Sequence, residues 1–360
     1  MRRVPPFRYM VWAKAHRAGA RFHLGLSGMA PPPPDLMPLA LSEPDLAQRG
    51  TDAPPDAHAR LAARFAVDRS ELLLTLGTSH AFYLVCASTL SPGDVCFVER
   101  PAYEMLPTLP TLFGASVMPF ERTLADGYRP AADLPARIRA ERPKMVLLSN
   151  PHNPSGAFLS LDELTPLARA TQEVGAVLAV DEVYLEYFPD APARSARHLG
   201  EHVVVASSFT KAFGLGTVRF GWLIGSRARI EAAARYNDYI SVLYPNPCAW
   251  VGLLALDHLE ALQERAMRVA SENRAIVRTF VEARDDVRWH PPEAGIIAFP
   301  QLVDLDDTSA FCDELLERHD TLLVPGSFFD APSHVRLAYG IDPSLLREGL
   351  ARLGRALDAR

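Results

Sequence analysis

The chain has 360 residues, 48% of them hydrophobic, which is enough for one large core or for two domains of unequal size. A net charge of −6 argues against a nucleic-acid binder, and no apolar run reaches the roughly 18 residues of a membrane span. The four cysteines (Cys86, Cys96, Cys248, Cys312) form no C-x-x-C pair and no zinc-type spacing, so they read as reduced cytoplasmic thiols with no metal site.

The first 34 residues carry several arginines and no acid. They also hold Tyr9, Trp12 and Phe22 and no secretory-type apolar core, so they read as part of the folded protein rather than as a leader. Residues 7–18 place Met10, Val11 and Lys14 at helical spacing. FHLGLSG (22–28) predicts a short strand ending in a glycine turn. PPPPDLMP (31–38) is an extended connector, and 57–67 is a helix. From there the pattern alternates. LLLTLG (72–77) is an apolar run ending at Gly77 and is followed by a helix. Further strands are predicted at 94–103, 115–121, 144–150, 176–184, 202–208 and 219–225, with helices between most of them, including 133–141 and 161–174. Strands this apolar are buried on both faces, which predicts an α/β layered sheet, mostly parallel, as a large domain. A long helical region begins near 228, breaks at YPNP (244–247) and runs on from 248 to about 285. The last part mixes short strands with helices at 308–319 and 344–357, a smaller α+β unit.

Only three lysines occur, Lys14, Lys144 and Lys211; arginine supplies the rest of the positive charge. Lys211 lies in SSFTKAFGLGTVRFGW (207–222), among small residues that let a planar ligand approach. A lysine nucleophile must be partly deprotonated, and burial and nearby cations allow that. Ser208 and Arg219 could jointly hold a phosphate, a hydroxyl donor beside a charged fork. The common alternative is an exposed loop lysine. Asp181 and Tyr184 end the apolar run AVLAVDEVY; an aspartate there could keep a pyridine nitrogen protonated, and the tyrosine could donate to a ring oxygen. Read alone, they are equally a capping aspartate and a core tyrosine. SNPHNPSG (149–156) is a constrained loop in which Asn153 could reach a ring substituent and the bond before Pro154 is a candidate cis peptide. LGTSH (76–80) joins a strand to a helix, where the N–H groups of Gly77, Thr78 and Ser79 form a phosphate cradle or a plain turn.

Together, S-x-x-K-x-x-x-x-x-x-x-R-x-G at 208–221, N-P-x-N-P-S-G at 150–156 and D-E-x-Y at 181–184 resemble the class I/II aminotransferases, over nearly the whole chain. These are fold-type I enzymes that use pyridoxal 5′-phosphate. The resemblance implies a large domain at 46–250 with a mostly parallel seven-stranded sheet sandwiched by helices. It implies a small α+β domain at 251–360 and an N-terminal segment, 1–45, packing with the small domain and the active-site entrance. It implies a homodimer with shared active sites, and amino acid and 2-oxo acid substrates.

Carried over by the same resemblance, Lys211 forms the internal aldimine and shuttles the substrate's α-proton. Asp181 pairs with the pyridine nitrogen. Tyr184 and Asn153 bond the ring hydroxyl, and Tyr103 in PAY (101–103) stacks on the ring. Gly77, Thr78, Ser79, Ser208 and Arg219 hold the phosphate. Arg336 in HVRLAYG binds the substrate carboxylate with Asn153, and Ser27 and Gly28 form the turn that closes over substrate.

One departure stands out: the family's tyrosine before the helix at 57–67, which contacts the neighbouring subunit's phosphate, is missing from QRGTDAPPDAHARL (48–61). In VLYPNPCAW (242–250), Tyr244 and Asn246 either face the partner's site or only mark a kinked helix junction. Arg8, Arg17 and Arg21 are candidate second cations in the lid, and Tyr9, Trp12 and Phe22 a candidate apolar lid. Transamination is the leading reading. The same cofactor residues serve elimination, cyclisation, decarboxylation or oxidation, because the reaction depends on which α-bond lies perpendicular to the ring. FRYMVWAK and LLERHDTLLVPGSFF are also similar to enzymes of non-proteinogenic amino-acid biosynthesis, capreomycidine-synthase-like proteins among them. A cofactor-sensing transcription regulator would need an added DNA-binding domain, for which the chain has no room before the core.

Overall fold

The computed structural model describes residues 4–16, 19–38, 55–293 and 295–360. The strands that organise it are β1 (Phe22–His23), β2 (Leu72–Thr75), β3 (Val95–Arg100), β4 (Ser116–Glu121), β5 (Met145–Ser149), β6 (Val177–Asp181), β7 (Val203–Ser208) and β8 (Gly221–Ile224). Seven of these form one sheet in the order β2-β8-β7-β6-β5-β3-β4. All pairs from β4 across to β7 are parallel, while β8 runs antiparallel to both β7 and β2.

Every residue of β5, β6 and β7 is buried, which is why they read as unbroken apolar runs. Side chains alternate across the sheet. Phe97, Val146, Leu178 and Val205 join the core under Leu61, Leu164 and Leu167. Cys96, Leu147, Ala179 and Val204 face Phe82, Val85, Leu106 and Ile230 on the other side. Helices therefore cover both faces. No helix among the described residues is long and apolar enough to cross a membrane.

The parallel strands end in polar residues: Ser149 closes β5, Asp181 closes β6 and Ser208 closes β7. In an open α/β sheet, ligands bind in the crevice beyond the carboxyl ends of the strands. The antiparallel pair reaches the same edge, with Thr75 of β2 opposite Gly221 of β8.

The remaining elements make the smaller unit and its connection. The helical region splits into Arg227–Ile240, Asn246–Asp257 and Leu259–Glu282. Three short strands, Ile297–Ala298, Val335–Ala338 and Val324–Pro325, pair antiparallel in the order first, second, third. The N-terminal helix Arg8–His16 precedes β1, which pairs in parallel with Thr321–Leu322. The expected boundary at 45/46 lies outside the described residues, and 250/251 falls within the helix Asn246–Asp257.

Three local expectations change. The predicted strand 94–103 ends at Arg100 and is followed by a helix, Met105–Leu112, in which Met105, Leu106 and Pro110 are buried. The predicted strand 219–225 begins only at Gly221, because Arg219 has a left-handed backbone with φ +60. Among the described residues the cis peptides are Arg100–Pro101 and Asn150–Pro151, not the bond before Pro154.

Candidate active site

The sequence around Lys211 forms a single helical turn, Phe209–Ala212, directly after β7. This leaves the lysine half-buried at the sheet edge. Its Nζ donates to the Ser27 hydroxyl at 2.8 Å. The backbone returns the contact: Met29 N–H donates to the Lys211 carbonyl at 2.8 Å. Gly28 lies against the lysine stem, where an added Cβ would be 3.9 Å from Lys211 Cδ. The Ser27–Gly28 turn and Lys211 are thus brought together.

Asp181 ends β6 and is buried. One of its carboxylate oxygens accepts from Val183 N–H at 3.0 Å. Burial pushes the carboxyl up to about 7, and the nearby Glu99 adds to this against the pull of the Val183 N–H and Lys211. Such a group is suited to a cationic partner. After Asp181 the chain leaves the sheet, so Tyr184 stands in the turn before a short 3₁₀ helix, Leu185–Tyr187. The Tyr184 hydroxyl donates to the Ser27 carbonyl at 2.8 Å, and Tyr187 donates to the Lys211 carbonyl at 3.3 Å.

Gly77 precedes the helix Thr78–Thr89 with φ +85. Thr78 is half-buried and Ser79 exposed in its first turn, where backbone N–H groups point outward and favour an anion. Arg219 spans the opening, donating to the carbonyls of Leu76 at 2.7 Å and Gly216 at 3.2 Å. Ser208 is buried, with its hydroxyl 2.7 Å from that of Thr210. Tyr244, considered above as facing a partner, donates to the Arg219 carbonyl of its own chain at 3.2 Å.

Arg336 is fully buried on the central strand of the smaller unit. Its Nη1 donates to Asn153 Oδ1 at 3.4 Å. Its Nη2 donates to the Tyr9 hydroxyl at 2.6 Å and to the Gly25 carbonyl at 3.3 Å. The Nε–H has no hydrogen-bond partner among the described residues. A buried guanidinium whose acceptors are all neutral is ready for an anion. Tyr103 packs beside Tyr9, their rings 5.7 Å apart.

Several residues here were not foreseen. Glu99 and Arg122 are a fully buried ion pair at 2.5 Å. Glu99 accepts from the Ser149 N–H at 2.7 Å, and the Ser149 hydroxyl accepts from the Asn153 N–H at 3.0 Å. The pair thereby braces the loop that presents Asn153. The signal available was a glutamate at the end of an apolar strand. Glu104 caps the N-terminal helix, accepting from the N–H groups of Arg8 at 2.9 Å and Tyr9 at 2.7 Å. His80 Nδ1 accepts from Leu76 N–H at 3.1 Å; burial and then Arg219 lower its pKa, so it stays neutral. Of the lid cations, Arg8 is exposed at the helix start, Arg21 N–H donates to Asp320 at 2.9 Å, and Arg17 lies outside the described residues. So does half of the stretch lacking the family tyrosine, residues 48–54.

The sequence profile of aminotransferase class I and II matches residues 39–353. The chain belongs to the class I and II aminotransferase family. It is 30% identical to capreomycidine synthase of Streptomyces vinaceus over 303 residues, 83% of this chain and 78% of that protein. Its fold is similar to a PLP-dependent aminotransferase from Streptococcus suis 89-1591, with a TM-score of 0.91, 26% identity and 99% of each chain covered. It is also similar to the PLP-dependent cyclase OrfR, with a TM-score of 0.86, 27% identity and coverage of 100% of this chain and 99% of that one. The family uses pyridoxal phosphate, and the residues present fit that cofactor. The glycine-started helix with Arg219 suits its phosphate, the buried Asp181 carboxyl its ring nitrogen, and Lys211 its aldehyde.

Proposed function

We propose that this family member transfers the amino group of an L-amino acid to a 2-oxo acid, with Lys211 bearing the cofactor. One observation carries the reading: the Lys211 amine bonds Ser27 while the buried Arg336 fork bonds Gly25 and Asn153, so one short N-terminal segment joins the amine to the guanidinium. An α-amino acid needs an amine-handling group and a carboxylate receptor. The cofactor, when bound, supplies a cationic ring that delocalises the electron pair left by α-bond cleavage.

The chain does the rest. Gly77, Thr78 and Ser79, with Ser208 and Arg219, hold the phosphate. Asp181 would pair with the ring nitrogen and keep it protonated. Tyr184 and Asn153 would meet the ring hydroxyl, and Tyr103 would pack against the ring. Arg336 with Asn153 orients the substrate carboxylate as a bidentate fork. Lys211 Nζ takes the α-proton and returns it, oriented by the Ser27 hydroxyl. The Ser27–Gly28 turn closes over the substrate and excludes water.

We further infer a cytoplasmic homodimer, with segments 1–45, 46–250 and 251–360 as its domains. Tyr236, Tyr239, Ile240, Val242 and Leu243 form an exposed apolar run, with Tyr239 91% exposed, which supports a covered face there.

The test is a panel of amino acids and 2-oxo acids with the purified holoenzyme. Transamination yields a new amino acid and a new 2-oxo acid in equal amounts, without ammonia. Ammonia release or oxygen uptake independent of an amino acceptor would overturn it. The likeness to capreomycidine synthase and to a PLP-dependent cyclase favours a second reading, cyclisation of a non-proteinogenic amino acid. In the same assay that reaction gives a ring-closed amino acid and no 2-oxo acid.

A further inference from the structure

Arg336 meets Tyr9 in two ways. Its Nη2 donates to the tyrosine hydroxyl at 2.6 Å, and the guanidinium carbon lies 4.9 Å from the ring centroid. Tyr9 is 7% exposed, packed among Tyr103, Phe328 and Phe329. It stands in the first turn of the helix Arg8–His16, and that turn is held by the Glu104 carboxylate on the N–H groups of Arg8 and Tyr9. Glu104 directly follows Tyr103, so the helix start and the ring-stacking segment are joined through one side chain.

A guanidinium offers a carboxylate two bidentate edges, Nε with Nη2 and Nη1 with Nη2. Both edges use Nη2, whose two hydrogens already have acceptors, the Tyr9 hydroxyl and the Gly25 carbonyl. A carboxylate that takes either edge must therefore share Nη2 with one of them. The Gly25 carbonyl belongs to the backbone and cannot donate. The Tyr9 hydroxyl can: once it gives up its place as acceptor, its own O–H can donate to the arriving carboxylate. A phenol beside a buried carboxylate–guanidinium pair satisfies a carboxylate lone pair that the fork leaves open.

We propose that Tyr9 is a substrate-binding residue, its hydroxyl passing from acceptor on Arg336 to donor on the substrate carboxylate. The N-terminal helix, tethered by Glu104, thereby becomes part of the carboxylate site. The inference rests on the reading of Arg336 as the carboxylate receptor.

The experiment titrates the holoenzyme with propionate, a carboxylate without an amino group, and reads its Kd from the change in cofactor absorbance. Tyr9→Phe keeps the ring and removes the hydroxyl, and it should raise the Kd by about 5- to 20-fold. An unchanged Kd, or a lower one that makes the hydroxyl merely a competitor, overturns the proposal. Arg336→Met tests the underlying reading separately. If it binds propionate as tightly as the wild type, Arg336 is not the receptor, whatever Tyr9→Phe does. Hydrogen exchange on the unmodified holoenzyme gives an arm that needs no variant. Propionate should alter exchange in residues 8–16, and identical exchange there with and without propionate overturns the proposal.

Discussion

Gly77 and Arg219 are packed so closely that no side chain fits between them. The glycine holds φ +85, and a Cβ there would overlap Arg219 Nη2 and lie 3.0 Å from Cζ. This contact lets the guanidinium reach the Leu76 carbonyl at 2.7 Å, across the start of the helix Thr78–Thr89. Gly77→Ala forces both a strained backbone and a displaced arginine. It should weaken pyridoxal phosphate binding by about tenfold or more and destabilise the fold by about 1–3 kcal/mol. Equilibrium dialysis against the cofactor, beside a denaturant titration, measures both. Wild-type affinity in the variant contradicts the cradle.

Asp181 sets a pH dependence. In the cofactor-free protein, burial pushes its carboxyl up to about 7. In the unfolded chain an aspartate ionises near ~4. Between these values the unfolded chain has lost the proton that the folded one retains. Stability from this group therefore falls as pH rises from about 4 to about 7. Asp181→Asn removes the effect. The cofactor-free variant should gain in Tm relative to the cofactor-free wild type as pH rises over this range, with the difference levelling off above it. Glu182, raised to about 8 chiefly by burial with the Asp181 charge a smaller cause, is common to both proteins, so most of its own pH dependence cancels. Parallel Tm curves would mean that Asp181 is not held in this way.

The buried pair Glu99–Arg122 separates stability from site geometry. Glu99→Leu leaves a fully buried guanidinium without its counter-ion and should cost about 3–5 kcal/mol. Adding Arg122→Met should restore much of that, since a buried pair is often replaceable by apolar groups. Cofactor affinity should stay below wild type in the double variant, because Ser149 and the Asn153 loop have lost the carboxylate that braces them. Urea titration and cofactor binding follow the two effects. A double variant as unstable as the single contradicts the account of the pair.

Much of the fold was legible because buried parallel strands are written as apolar runs with polar ends. Ser149, Asp181 and Ser208 mark those ends, and each stands at the carboxyl edge of the sheet. Lys211 stood out by its small-residue surroundings and its spacing to Arg219, and its amine lies on the Ser27 hydroxyl. What escaped depends on contacts remote in sequence. Nothing local to Tyr9 announces a partner 327 residues away. The antiparallel entry of β8 is a matter of pairing, and period-two patterning does not carry direction. The helix Met105–Leu112 carries Pro110 in its interior, and burial of Met105 and Leu106 offsets the hydrogen bond lost there. Pro154 was the wrong proline in its loop: the bond before it is trans, while that before Pro151 is cis.

The central claim is that Lys211 bears the cofactor, and the chain's three lysines make it directly testable. Borohydride reduction of the holoenzyme fixes pyridoxal phosphate to its lysine, and peptide mass spectrometry then locates it. The account predicts the added mass on the peptide containing Lys211 alone, and its loss in Lys211→Ala. Label on Lys14 or Lys144 in its place, or retained in Lys211→Ala, would contradict it.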